Sequence, residues 1–108
     1  MTIQVGLRDL ERLQQLYDQG FRDTFVDNAL HKIVDQQTTR VESNLVSINA
    51  TLQEFEKQYN QTSDEFWQRY HAGELEDTAD FMEWNAFYKM RQRLVAHLNI
   101  LRGDNVHG

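Results

Sequence analysis

Two rows of apolar residues spaced by seven run through the middle of this chain, and no proline interrupts them. The first row is Val34, Val41, Ile48 and Phe55. The second is Leu45, Leu52 and Tyr59, offset from the first by four. Spacings of seven split into four and three put side chains on one stripe of an α-helix, at the a and d positions of a heptad repeat. Proline would break the stripe by removing an amide donor and clashing with the preceding turn. With none present, the period predicts one helix from Arg22 to Tyr59. At 1.5 Å per residue it is about 55 Å long. A globule of 108 residues cannot enclose the whole stripe, so the helix needs a long antiparallel neighbour or a second chain.

The C-terminal third offers such a neighbour. Asp80, Phe87, Leu94 and Leu101 form one row spaced by seven, and Trp84, Arg91 and Leu98 form its complement, widened by Tyr88 and Val95. A helix over 78–102 follows, with Asp77 or Thr78 as its N-cap. Between the long helices, Thr62 and Glu65 have the spacing of a capping box. They open a short helix from Ser63 to Ala72 that stops at Gly73. Upstream, Leu7, Leu10, Leu13, Leu16 and Tyr17 mark a short first helix that Gly20 ends. Residues 1–6 show no helical period, and 103–108 are polar; both read as flexible tails. The expected architecture is all-α, one domain over 1–108: an antiparallel long helical hairpin or coiled coil, with one short N-terminal helix and one short connecting helix.

The heptad face supplies a candidate oligomer seam: Val34, Val41, Leu45, Ile48, Leu52 and Phe55. Thr38 occupies the d row before Leu45, inside the polar run Asp35–Arg40. It is either a soft spot within the helix or a polar layer that selects pairing register at some expense of stability.

Charge and composition remove several function classes. The net charge is −6, whereas binding a nucleic-acid backbone needs clustered Lys and Arg. Direct nucleic-acid binding is therefore not expected, and a basic protein partner is. Cysteine is absent, which excludes disulfides, thiolate catalysis and Cys-based zinc sites. Neither a signal peptide nor a membrane-spanning apolar stretch is visible, so a cytoplasmic protein is expected.

Catalytic and metal constellations are sparse. His71, Glu74, Glu76, Asp77 and Asp80 are oxygen- and imidazole-bearing groups at close spacing. That spacing matches no calcium loop, so loop carboxylates and helix caps are the expected roles, with no metal or cofactor. Arg91 and His97 have an R-x5-H form that a class of helical ribonucleases uses, the Arg holding phosphate and the His moving protons. Six residues apart, the two do not share one helix face squarely, and this stays the alternative reading.

The densest feature is aromatic. Tyr59, Phe66, Trp67, Tyr70, Phe81, Trp84, Phe87 and Tyr88 fall within thirty residues. Either they pack together at the bend between the helices, or part of the cluster forms a protein-binding surface, since Trp and Tyr dominate interface energetics. The candidate partner-binding set is Phe66, Trp67, Tyr70, Glu74, Glu76, Asp77, Asp80, Trp84 and Tyr88.

At this stretch the chain resembles a group of small prokaryotic helical proteins with the pattern Y-G-x-S-x-x-F-x-x-x-F-x-x-G-x-L-x-D-x-x-D-x-x-E-W-x-x-x-Y. Here the pattern reads Tyr59-Asn60, Ser63, Phe66, Tyr70, Gly73, Leu75, Asp77, Asp80, Glu83, Trp84 and Tyr88. Asn60 stands for the usual Gly and Tyr70 for the usual Phe. Some members resemble antitoxin components encoded beside a small toxin. The resemblance implies a non-enzymatic binding role, an antitoxin that covers a basic toxin by direct contact, and it carries over no catalytic residue. A helical ribonuclease-like toxin and a structural coiled-coil adaptor are the alternatives. Self-association through the heptad face, giving a homo-oligomer, is expected alongside.

Overall fold

The computed structural model describes residues 2–103. It contains four helices in the order α1 (Thr2–Asp18), α2 (Thr24–Tyr59), α3 (Ser63–His71) and α4 (Ala79–Leu101). There is no strand among the described residues. The all-α hairpin expected from the heptad rows is therefore present, with α2 and α4 as the long arms, α3 as the short connecting helix and α1 as the short first helix. One boundary differs in kind. Helix α1 begins at Thr2, where the sequence reading placed a tail up to Gly6. Ile3 lies four residues before Leu7, so the apolar spacing continues upstream, and a single Gly costs a helix only about 1 kcal/mol. The expected C-terminal tail falls, beyond Gly103, outside the described residues.

The chain divides into two compact units between Ile33 and Val34. In the first, α1 closes at Gly20 in the left-handed conformation (φ 94°). The Phe21 amide then donates to the Leu16 carbonyl at 3.1 Å, capping the last turn. The Tyr17 ring meets Phe21 edge-on at 5.7 Å, and its hydroxyl donates to the Asp27 carboxylate. No residue from Gly6 to Ile33 is buried.

The second unit holds the whole described core. Val41, Ile48, Leu52 and Phe55 of α2 are buried, as are Phe66 of α3 and Trp84, Tyr88 and Leu98 of α4. The arms run antiparallel. Near the bend, the Tyr59 hydroxyl donates to Asp80; at the far end, Arg102 pairs with Glu42 at 2.6 Å. Ile48, Leu52 and Phe55 belong to one cluster with Phe66, Trp84 and Tyr88. Of the expected oligomer seam, Ile48, Leu52 and Phe55 thus pack against the chain's own α3 and α4. Leu45 is half-buried and Val34 is exposed. The Thr38 hydroxyl donates to the Val34 carbonyl one turn back, at 2.8 Å. That is the back-bond to the carbonyl four residues earlier that a mid-helix threonine can make.

Candidate functional site

The bend between α2 and α4 is assembled by three local devices. Asn60 adopts φ 53°, the left-handed position at which helices end and which Asn tolerates better than most residues. Two residues on, the Thr62 side chain accepts from the Glu65 amide at 3.1 Å while the Thr62 amide donates to the Glu65 carboxylate at 3.3 Å. That is the reciprocal capping box read from the sequence. Gly73, at φ 78°, then ends α3, and Thr78 caps α4 by accepting from the Phe81 amide at 3.1 Å.

These turns press the rings together. The Trp84 indole lies parallel to Phe66 at 4.0 Å and 3°, and to Phe55 at 5.5 Å and 11°. Phe66 and Trp84 are fully enclosed. The indole N–H, which a buried site must satisfy, donates to the hydroxyl of Ser63 at 2.9 Å. Ser63 is itself buried, and its own amide donates to Glu56 at 2.8 Å. Among the described residues no buried side-chain nitrogen or oxygen lacks a partner.

Of the expected partner-binding set, Phe66, Trp84 and Tyr88 are core residues, and the Phe66 and Trp84 rings have no exposed surface. Trp67 and Tyr70 are half-buried against the same cluster. Trp67 stacks on Tyr88 at 5.6 Å and lies tilted against His71 at 4.3 Å, and His71 Nε2 lies 3.0 Å from Asn85 Oδ1. Asp80 is half-buried under Tyr59. Of that set, Glu74, Glu76 and Asp77 are exposed.

A pattern of tyrosine–aspartate pairs, missed in the sequence, ties the surface to this core. Tyr88 donates to Asp64 at 2.7 Å. Its pKa is raised, first by burial and then by that bond. Tyr59 is raised chiefly by its bond to Asp80, and Tyr70 chiefly by its bond to Asp77. In the first unit, Asp27 does the same to Tyr17. All four tyrosines of the chain thus face a carboxylate. Tyr17, Tyr59 and Tyr88 lie 10, 21 and 24 residues from their partners, and Tyr70 pairs with Asp77, so no shared spacing announces the pattern.

The acidic character is local. Residues 64–83 hold seven carboxylates against the single guanidinium of Arg69, and the other ten acids and ten bases of the chain cancel. The whole net charge of −6 therefore sits on α3, the following loop and the start of α4. Arg69 reaches Glu74 at 3.5 Å, and Arg91 approaches Asp64 at 3.5 Å from the flank. No group of three His, Cys, Asp or Glu side chains among the described residues is arranged to hold a metal ion.

The alternative ribonuclease pair is not brought together into one set of neighbours. Arg91 lies over the Tyr88 ring at 5.1 Å and beside Asp64. His97 lines a shallow groove with Gln37, Val41, Ile100 and Leu101. No family model, curated protein or solved structure matches the chain.

Proposed function

We propose that this protein is a non-enzymatic helical binding module whose acidic corner docks on a basic protein surface, and that the partner is a toxin it neutralises. One observation carries the reading: the entire net charge of the chain lies on the single corner 64–83, over a core whose rings and hydroxyls are fully engaged. Carboxylates on a stiff corner steer a basic partner and hold its orientation with little entropy left to lose on binding. The antitoxin form of the proposal rests on the resemblance at Tyr59–Tyr88, and a cytoplasmic site of action goes with it. No described helix is long and apolar enough to cross a membrane, which leaves the corner free of that role.

Co-expression with the product of the adjacent gene tests it. A stable complex and relief of growth arrest are expected. The triple variant Glu74→Gln, Glu76→Gln, Asp77→Asn should weaken the complex, most visibly at low salt. If the native chain forms no complex and leaves growth unchanged, the antitoxin reading fails.

A further inference from the structure

The two units are held by different things. From Gly6 to Arg40 no residue is buried, and the next one, Val41, is. Leu10 is 60% exposed and Phe25 78%, while Leu13, Tyr17, Val26 and Leu30 are only half-buried. The bonds that tie α1 to the start of α2 are polar and exposed: the Tyr17 hydroxyl donates to Asp27, and Arg22 donates to the Tyr17 carbonyl at 3.2 Å. Such bonds replace equivalent bonds to water and add little in net. Most helical stability in proteins comes from an apolar face pressed on another element, and a helix without one is marginal. Helix α2 has such packing over only part of its length. Its partner arm α4 ends at Leu101. There Ile100 and Leu101 share a groove with Gln37 and Val41, and Arg102 bonds to Glu42. Just before Val41, the β-branched Val34, Thr38 and Thr39 and the short acid Asp35 all lower intrinsic helix propensity.

We infer that α1 and the first turns of α2, as far as the turn of Gln37, melt and re-form while the second unit stays folded. One continuous helix thus carries two stabilities, low before that turn and high after it. Local opening with its own free energy follows from such uneven packing, because a segment with few buried apolar contacts opens without disturbing the core. The chain contains its own probes of this order–disorder element. Its three lysines are Lys32, Lys57 and Lys89. All three are helical and exposed, and they differ in how readily the backbone around them opens. Lys32 and Lys57 even lie on the same helix, on either side of the change in stability.

A lysine-specific endoprotease acting on the intact chain is the test, with the first products identified by mass. Cleavage after Lys32 should outrun cleavage after Lys57 and Lys89 by at least about tenfold, because cutting follows the population of the open form. The product beginning at Ile33 should keep the near-ultraviolet circular dichroism of the Trp84 core. Leu52→Ala, which loosens that core, should speed the cuts at Lys57 and Lys89 and leave the cut at Lys32 nearly unchanged. Comparable rates at Lys32 and Lys57 in the native chain overturn the inference, as does loss of the core signal on cutting after Lys32. Equal acceleration of all three cuts by Leu52→Ala overturns it too, since Lys32 would then be reached only through unfolding of the whole chain. None of these measurements involves the partner proposed for the acidic corner, so the two proposals fail separately.

Discussion

Trp84 and Ser63 stand 21 residues apart and meet as donor and acceptor at 2.9 Å in the interior of the bend. The serine starts α3 and the tryptophan lies in the second turn of α4, so one bond fixes the angle between a short helix and a long one. Its energetic weight lies in what happens when one partner is lost. A buried indole N–H without an acceptor costs about 1–3 kcal/mol, more than the bond contributes in net. Ser63→Ala should lower the unfolding free energy by that amount, seen as a lower urea midpoint at unchanged slope. Because removing both polar groups is far milder than removing one, Ser63→Ala combined with Trp84→Phe should cost less than the two single changes added together. A coupling of about 0.5–3 kcal/mol is the expected result of the four-protein cycle. Strict additivity would show that the bond contributes nothing to the corner.

The four tyrosine–aspartate pairs set the behaviour at high pH. A phenol donating to a carboxylate resists ionisation, because the phenolate would face a like charge and lose its bond. Each folded pKa is therefore raised above the unfolded value of 10.0. A raised folded value means that the folded state holds its proton more tightly than the unfolded one. The contribution is fully present below the unfolded pKa and is lost as pH rises through the folded one. Stability should thus decline above about pH 10, and tyrosinate absorbance should appear at higher pH in the native protein than in urea. Tyr88, buried and bonded to Asp64, should ionise late. Superimposable titrations in the two states would contradict the pairing.

Asn60 gives a sharper local expectation. It holds φ 53° at the position where the resembling pattern has glycine. A side chain with a Cβ is strained there by roughly 1–2 kcal/mol, less for Asn, and glycine is not. Asn60→Gly should be neutral or slightly stabilising, and Asn60→Ala should cost about 1 kcal/mol. Thermal midpoints ordered Gly, Asn, Ala from high to low are expected; Ala at or above Asn would refute the account.

Much of the fold was legible because its determinants are local or periodic. The heptad rows announced α2 and α4, Thr62 with Glu65 announced the start of α3, and Gly73 its end. The site was less legible, for a physical reason. A stripe of apolar residues states that a face is buried and is silent about what buries it. Ile48, Leu52 and Phe55 read equally well as a seam between chains and as the chain's own core. The aromatic cluster posed the same ambiguity, and only the parallel stacking of Phe55, Trp84 and Phe66 decided it. Ser63 carried no signal beyond its place in the resembling pattern, because a hydroxyl at a helix start ordinarily reads as a cap. The exposed face of α1 was hidden by its ordinary leucine spacing, which looks alike whether or not a partner element exists.

Leu52 separates the two meanings of the heptad row. It is 1% exposed and sits in the cluster formed by α2, α3 and α4 of one chain. Truncating it to alanine removes methyl and methylene groups from a site that cannot collapse easily, at about 2–5 kcal/mol. If the row is internal, as the structure has it, that loss is a property of one chain. The cost of Leu52→Ala should then be the same at low and high protein concentration, and the native-state mass should not change. Val46 lies six residues away on the same helix but is 71% exposed, and its alanine variant should differ from the parent by less than about 0.5 kcal/mol. Were the row a seam between chains, the Leu52→Ala penalty would shrink as concentration rose, because mass action would restore the association. Denaturation at two concentrations a hundredfold apart distinguishes these outcomes, and a concentration-dependent penalty would return the heptad face to the role of an interface.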